Sequence, residues 1–593
     1  MHRYRPDSSL LALRQASTRR QLLGGAATAM AGGLALHAPG ITAAQQPSPG
    51  SHVQAVVSSH REATAAGMAI LEQGGTAADA AIAMAAVLSV VEPWFSSVLG
   101  GGTWALYYDA ATHSVTSMDG VGPVGGLATL EGYGERADTP GIHQAIVPGA
   151  WDGWMLWLQE YGRLELGIVL DPAIRLAREG HEASAEMVTW LGRREEEVLD
   201  APDTAAIYAP DGELIGEGDL VQNPNFADSL EALARAFAQA AGEGREAAVQ
   251  AARDYFYRGP LAEAIVAFSE ENDGYFTLED FTTFESALLP PIAIDYGGGI
   301  TVVENPPNSQ GITMLLALNI LKGMNISQYP HHSADAIHLQ VEALKLAFAD
   351  RYEYIGDPDR IDMPIDALLS DAHAEEQRQR IDMDRAMEWP IDGRLARVPH
   401  HTTTFHVTDR EGNGAAVTTS LGAQFLVVGD TGIHINERME FLSLEEGNAN
   451  ELMPGFKVRH TSCPYMAFRG NRLWILGGNT GVDTQPQGQT QQFISVAEYG
   501  MGAQEAVNQP RFVTTAFPET RYPSPIENTL QMQAGFRGSV VAELRERGHE
   551  VDLGEGTFGS ANMIVITPDG TDAETGAEPD MTLSAGEVVP AGS

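Results

Sequence analysis

The first part of the chain alternates between short apolar runs and segments whose apolar residues recur at helical spacing. Residues 53–59 form a run rich in valine, which predicts a buried strand. In residues 62–73 the small and apolar side chains recur every three to four positions, and the pair Gly74-Gly75 ends that predicted helix. Thr76 is a favourable N-cap for the alanine-rich helix that follows. This part of the chain therefore predicts helices packed on strands.

Longer helices are predicted over residues 226–270 and 338–352, and strands dominate from Thr402 onward. The predicted strands are 402–408, 414–421, 424–428, 432–435, 464–468 and 472–476, and two predicted helices follow at 486–499 and 503–507. After about Thr571 few apolar residues remain to be buried, so we expect a loosely packed tail. Helices and strands in this order are typical of a layered α+β sandwich.

The first 44 residues have the pattern of an export signal. The pair Arg19-Arg20 precedes an apolar run rich in alanine and glycine that ends near Leu36, and small residues follow at 42–44. The twin arginine resembles a twin-arginine export signal; a general secretory signal or a membrane anchor is the alternative. The run is short and glycine-rich for a membrane-spanning helix. We therefore predict that residues 1–44 are a signal and that the mature protein is periplasmic or secreted, without membrane insertion.

Charge and cysteine content exclude several classes of protein. The chain has 36 Lys and Arg against 79 Asp and Glu, a net charge of −43, so neither nucleic acid nor an anionic membrane is an expected partner. Cys463 is the only cysteine, which excludes an intrachain disulfide and a cysteine-based metal site. His400, His401 and His406 lie near Thr402, but adjacent histidines on a strand point to opposite sides, so we predict no metal and no cofactor.

Thr402 opens the strand-rich part of the chain and is a candidate nucleophile. Cleavage of the bond between His401 and Thr402 would leave a hydroxyl and a free α-amine on one residue, and the amine can then take the hydroxyl proton. The alternative is an ordinary threonine-rich edge strand, which composition alone favours. Motifs elsewhere in the chain change that balance.

Seven short motifs occur in a fixed order around this strand. They are residues 73–80, 91–93 with 100–102, 147–149, 161–164, 306–311, 346–351 and 504–512. Together they resemble the γ-glutamyltransferase family of N-terminal-nucleophile hydrolases, in a divergent branch that differs from the glutathione-cleaving members. The resemblance runs from about residue 53 to about residue 567 and implies a four-layer αββα sandwich.

The resemblance also implies self-processing. A precursor of this family cleaves itself before a threonine, here between His401 and Thr402. The products would be a large subunit, residues 45–401, and a small subunit, residues 402–593, which associate within one αββα domain. The Thr402 hydroxyl would then attack a small-molecule amide to form an acyl-enzyme, which water or an amine resolves.

Further site residues follow from a predicted hairpin and from the resemblance. Thr418 and Ser420 lie on the strand after the first turn, and a hairpin there is expected to place both beside Thr402. By resemblance, Ser420 assists maturation and activates the nucleophile. Thr480 and Gly481 occupy the family's glycine-pair position in the oxyanion hole, whose backbone N–H donors tolerate a change of side chain.

The acyl-binding residues depart from the family pattern. A γ-glutamyl group carries a carboxylate and an ammonium, and a specific pocket supplies a partner for each. The family's arginine for the carboxylate is missing from residues 118–123, and its acid for the ammonium is replaced by Phe441. Arg438 offers a new cation, unless it is a surface side chain, and Glu440 offers a new acid. The predicted substrate-binding residues are Arg438, Glu440, Thr461 and Ser462, the last two in place of the family's serine pair.

Three functions fit this pattern. The first is a self-processing threonine hydrolase that cleaves γ-glutamyl amides, by hydrolysis or by transfer to an amine. The second keeps Thr402 but acts on another short acyl amide of the oxamate or glutaryl type, which the missing arginine favours. The third is an unprocessed binding protein, which the presence of Thr402, Ser420 and the glycine-containing loop opposes.

Overall fold

The computed structural model describes residues 34–35, 52–387, 402–422, 424–518, 520, 526, 528–554 and 558–592. Two antiparallel sheets lie face to face, and helices cover both outer sides. This arrangement is the predicted αββα sandwich. The predicted signal, apart from a two-residue strand at Leu34–Ala35, and the predicted cleavage residue His401 lie outside the described residues.

The first sheet has eight strands, with the predicted hairpin at its centre. Seven of its strands pair in the order Leu34–Ala35, Ser114–Gly120, Gly102–Asp109, Gly414–Ser420, Thr403–Thr408, Gln54–Ser58 and Ala585–Val589. The eighth, Ala287–Leu289, pairs with Ser114–Gly120 outside this order. The hairpin is therefore flanked on both sides by strands from the part of the chain before Thr402.

The second sheet has six strands and faces the first. Its order is Ala573–Ala577, Ala561–Ile566, Arg472–Asn479, Tyr465–Arg469, Ile300–Glu304 and Ile292–Gly297. Three smaller sheets consist of Phe512–Thr514 with Thr529–Met532 and Glu550–Leu553, Val427–Val428 with Ile433–His434, and His181–Glu182 with Leu220–Val221.

Helices form the two outer layers. Those packed on the first sheet include Arg61–Glu72, Ala77–Val91, Ala150–Glu160, Leu166–Glu179, Pro224–Ala240, Arg245–Tyr257 and Pro260–Glu271. Those packed on the second sheet include Ile312–Leu321, Ala334–Tyr354, Thr484–Ala497 and Ala503–Val507. Shorter helices elsewhere are Leu130–Gly134, Ala185–Arg193, Glu195–Asp200, Pro202–Tyr208, Leu278–Thr282, Ile365–Leu368, Asp371–Arg378 and Gly538–Glu546. Thr76 caps Ala77–Val91 as predicted, through a reciprocal pair of hydrogen bonds with Asp79.

Alternation along the strands determines which side chains face the site. Phe405 and Val407 pack into the core beneath the helices, so the side chains between them point to the second sheet. The Thr404 side chain contacts the second sheet, because a side-chain carbon placed on Gly478 of that sheet would collide with the Thr404 hydroxyl. Thr402 has the same parity, and it lies at the beginning of this strand between the two sheets.

The C-terminal tail is more ordered than predicted. Ala573–Ala577 and Ala585–Val589 are edge strands of the second and the first sheet. Between them Glu578 is buried and forms an ion pair with Arg511 at 2.9 Å. The prediction of a loose tail was wrong because an edge strand is held by backbone hydrogen bonds and needs few apolar side chains. The strand predicted at 424–428 is also shorter, Val427–Val428.

Candidate active site

The central hairpin brings the Thr402 and Ser420 hydroxyls together. The antiparallel register pairs Thr403 with Thr419, so that Thr402 and Ser420 meet one position further along. Thr402 Oγ1 lies 3.2 Å from Ser420 Oγ, and both side chains are fully buried. A hydroxyl pair held by a strand ladder, and shielded from water, is a suitable arrangement for a nucleophile and its activating group.

Thr418 occupies a different position from the one expected. It lies opposite Thr404 in the ladder, and the two Oγ1 atoms are 3.4 Å apart. Thr404 Oγ1 donates to the carbonyl of Val417 at 2.9 Å. Because two residues of a strand span about 7 Å, only Ser420 lies beside Thr402, whereas Thr418 supports the next threonine of the strand.

Arg438 is buried beside the hydroxyl pair and is not a surface side chain. Its Nη1 donates to Ser420 Oγ at 2.8 Å, its Nη2 donates to Glu440 Oε1 at 3.3 Å, and its guanidinium stacks 4.4 Å above the Phe441 ring. Burial lowers the pKa of Arg438 to about 10, although the nearby Glu437 opposes this shift. Arg438 therefore stays protonated at neutral pH and adds a positive charge next to Ser420.

Gln485 contacts the Thr402 hydroxyl and was not predicted from the sequence. Its Nε2 lies 3.4 Å from Thr402 Oγ1, at the beginning of Thr484–Ala497. A guanidinium can only donate, so Ser420 Oγ accepts from Arg438 and its own hydrogen can be directed to Thr402. Gln485 and Ser420 thus offer two donors to the same oxygen. The signal in the sequence was the run of glutamines at the start of this helix, just after the predicted oxyanion loop.

Thr461 and Ser462 lie in a buried segment with several unsatisfied polar groups. No residue in the described part of the chain forms a hydrogen bond with Thr461 Oγ1, Ser462 Oγ or the Nε2 of the neighbouring His460. The backbone is fixed, because the Thr461 carbonyl accepts from Gln310 Nε2 at 2.9 Å and the Ser462 carbonyl accepts from Ser309 Oγ at 2.8 Å. A buried polar group without a partner is costly, so these three consecutive side chains are candidates for contact with a ligand.

The predicted oxyanion pair follows the strand Arg472–Asn479. The Thr480 N–H already donates to the Ser560 carbonyl at 2.8 Å, whereas Gly481 lies beyond the paired residues. Gly481 has a φ of 101°, and a side-chain carbon there would collide with Thr484 Oγ1. Glycine is therefore required at this turn, and its N–H precedes the helix that carries Gln485.

A buried carboxyl group lies on the other side of the strand that follows Thr402. Ser59 Oγ donates to Glu92 Oε2 at 2.7 Å and lies 2.8 Å from Thr403 Oγ1. Burial raises the pKa of Glu92 to about 7, although hydrogen bonds from Ser59 and Thr403 oppose this shift. Glu92 thus contacts the residue next to Thr402 from the helical layer.

The sandwich, with a buried threonine at the beginning of its central hairpin, defines a hydrolase or transferase of the N-terminal-nucleophile class. The model of the gamma-glutamyltranspeptidase family matches residues 63–585, and the chain belongs to this family. The predicted membership and fold are confirmed.

Known relatives carry names from both enzymatic alternatives. The chain is 34% identical to the glutathione hydrolase-like YwrD proenzyme of Bacillus subtilis (strain 168) over 535 residues, covering 89% of this chain and 97% of that protein. It is 30% identical to the acylase ACY 1 proenzyme of Pseudomonas sp. (strain SE83) over 546 residues, covering 89% and 92%. The solved cephalosporin acylase from Bacillus halodurans matches with a TM-score of 0.78 at 29% identity, covering 93% of this chain and 99% of that one.

Among the helices that the structure describes, none combines the length and apolar character needed to cross a membrane.

Proposed function

We propose that the chain is a proenzyme that cleaves itself between His401 and Thr402 and then uses Thr402 Oγ1 to hydrolyse a small amide. One observation carries this proposal: the Thr402 hydroxyl is buried at the beginning of the central hairpin, 3.2 Å from Ser420 Oγ and 3.4 Å from Gln485 Nε2. Two of the relatives are named proenzymes, which supports processing.

In the proposed mechanism, the α-amine of Thr402 takes the hydroxyl proton as Oγ1 attacks the substrate carbonyl carbon. The Ser420 hydroxyl, polarised by Arg438, donates to Thr402 Oγ1 and stabilises its developing negative charge. The C–N bond of the substrate then breaks, and the departing amine receives the proton. Water, activated by the same α-amine, hydrolyses the ester. We assign the oxyanion role to the Gly481 N–H, because the Thr480 N–H already donates to Ser560.

The two subunits would stay together after cleavage. Thr403–Thr408 pairs with Gln54–Ser58, and Gly414–Ser420 pairs with Gly102–Asp109. Both flanking strands belong to the predicted large subunit, residues 45–401. Separation would expose these strand edges and the core between the sheets, so the cleaved protein should behave as one unit.

The acyl group is proposed to carry no α-ammonium. Phe441 stands where an acid was expected, and it lies under the Arg438 guanidinium. Glu440, the alternative acid, is itself paired with Arg438 at 3.3 Å. An ammonium in this site would therefore compete with a buried guanidinium for one carboxylate. This favours an acylase for amides of short dicarboxylic acids, such as glutaryl amides, over a γ-glutamyl hydrolase. One relative is named a glutathione hydrolase-like proenzyme, so γ-glutamyl hydrolysis is the second candidate activity.

Two chromogenic substrates test this choice, because glutaryl-p-nitroanilide and γ-glutamyl-p-nitroanilide differ only by the α-amino group. We expect kcat/KM to be at least about tenfold higher for the glutaryl compound, since leaving an ammonium without its partner costs more than 1.4 kcal/mol. The Thr402→Ala variant should stay uncut and inactive on both. Faster cleavage of the γ-glutamyl compound would reject the acylase assignment, and a native chain that never cleaves itself would reject the proenzyme.

We also propose export through the twin-arginine signal in residues 1–44, supported by the sequence pattern. Replacement of Arg19 and Arg20 by lysine should leave the chain in the cytoplasm with its N-terminus intact. Unchanged export of that variant would contradict this route.

A further inference from the structure

His460 carries a buried hydrogen-bond donor without an acceptor. Its side chain is fully buried, and burial together with Arg438 holds the pKa of the ring well below its usual range, so the ring is neutral. The Ser462 N–H donates to His460 Nδ1 at 3.2 Å. A neutral imidazole that accepts at Nδ1 must carry its hydrogen on Nε2. No residue in the described ranges accepts that hydrogen.

The His460 ring is held next to the hydroxyl pair. The backbone of His460 is fixed, because its main-chain N–H donates to the Asn308 carbonyl at 2.8 Å and its main-chain carbonyl accepts from the Gln310 N–H at 3.0 Å. A side-chain carbon placed on Gly102 would lie 3.3 Å from His460 Nε2. Gly102 is the ladder partner of Ser420, so the Nε2–H group lies at the end of the hairpin where Thr402 and Ser420 meet.

Two other fully buried histidines satisfy their Nε2 within the protein. His406 Nε2 lies 3.0 Å from the Asn562 carbonyl, and His434 Nε2 lies 2.8 Å from Tyr208 Oη. His460 differs in that its Nε2–H has no protein partner, and the Thr461 and Ser462 hydroxyls beside it have none either. A buried donor left unsatisfied is costly, and a ligand acceptor removes that cost.

Thr461 and Ser462 were already predicted to bind the carboxylate of the acyl group. We propose that His460 Nε2–H is a further donor to this carboxylate, on the side remote from the scissile amide. This inference rests on the proposed function, because it assigns the acyl-recognising end of the same threonine hydrolase. The three groups are neutral donors, and the Arg438 guanidinium adjoining Ser420 supplies the positive charge that a carboxylate requires. His460 is then a residue that selects the acyl group, distinct from the groups that act on the scissile bond.

The test compares inhibition by glutarate with inhibition by pentanoate, which has the same length but lacks the second carboxylate. The inhibition constants of both acids are measured on the processed enzyme with any chromogenic amide that it cleaves. In the His460→Leu variant, we expect glutarate to bind about 10- to 100-fold more weakly, the effect of losing a hydrogen bond to a charged group, and pentanoate to change less than about threefold. His460→Gln, whose amide retains a donor, should lie between the parent and His460→Leu.

His434→Leu is the matched control, because it also removes a fully buried neutral histidine. It should lower stability without changing the ratio of the two inhibition constants. Equal weakening of glutarate and pentanoate in His460→Leu would show that His460 only supports packing and would overturn the inference. If neither His460 variant cleaves itself, the residue serves folding or maturation, which also overturns it. Failure of the parent chain to cleave itself would reject the proposed function instead.

Discussion

Glu92 should make the folded protein lose stability as the pH rises from about 4.5 to about 7. The carboxyl group is fully buried next to Ser59 and Thr403, and burial raises its pKa from 4.5 to about 7. A carboxyl whose pKa is higher in the folded state binds its proton more tightly there, so its contribution is complete below the unfolded pKa and is lost as pH rises through the folded pKa. The change from 4.5 to about 7 corresponds to about 3 kcal/mol.

The perturbation is Glu92→Gln, which keeps the shape and an acceptor for Ser59 but cannot ionise. We expect the variant to gain stability relative to its parent by about 3 kcal/mol between pH 4.5 and pH 8. Urea unfolding at several pH values measures this difference, with both proteins carrying Thr402→Ala so that each remains one chain. Subtracting the free energy of unfolding of the parent from that of the variant cancels the contribution of groups that titrate equally in both proteins.

A control with no electrostatic link to Glu92 is Asp569→Asn, because hydrogen bonds from Thr567 and Thr571 lower the pKa of Asp569. A carboxyl group whose pKa is lowered contributes stability that is lost as the pH falls. The control variant should therefore gain no stability relative to its parent as the pH rises from 4.5 to 8. Parallel stability curves for Glu92→Gln and its parent would refute the reasoning, since they would mean that Glu92 is ionised in the folded protein with an ordinary pKa.

Three further changes test contacts around Thr402, the proposed nucleophile. Arg438→Met removes the donor to Ser420 and the positive charge near the acyl carboxylate, so it should lower kcat about 10- to 100-fold and also raise KM, with partial recovery in Arg438→Lys; an unchanged kcat in steady-state assays would contradict the role. Gln485→Met keeps the volume but removes one donor to the nucleophile, and should lower kcat about tenfold at unchanged melting temperature; equal loss of activity and stability would instead indicate a packing role. Asp483→Asn weakens the buried pair with Arg351 and should cost about 3–5 kcal/mol in urea unfolding, which an unchanged midpoint would contradict.

The hairpin was predictable because its pattern is local. A period of two fixes the parity of a strand, and the short turn after Thr408 fixes the antiparallel partner. What the pattern left open was the register. The pairing of Thr403 with Thr419 brings Ser420 rather than Thr418 beside Thr402, and a register shift of two residues would exchange the two hydroxyls.

Contacts between distant parts of the chain were less accessible to prediction. Gln485 reaches Thr402 across 83 positions, and no spacing rule connects the two residues. Arg438 was assigned to the substrate or to the surface because its 3₁₀ turn, Arg438–Phe441, was not recognised, and that turn directs the guanidinium onto Ser420. His460 has no sequence signal at all, because the missing acceptor becomes visible only when every neighbour is placed.

The central claim is that the chain cleaves itself before Thr402 and that Thr402 is the nucleophile. The most direct measurement is the intact mass of the purified native protein beside the Thr402→Ala variant. We expect two fragments from the native chain, the smaller beginning at Thr402, and one uncut chain from the variant. A native chain that remains whole after long incubation would contradict the account and would favour an unprocessed binding protein.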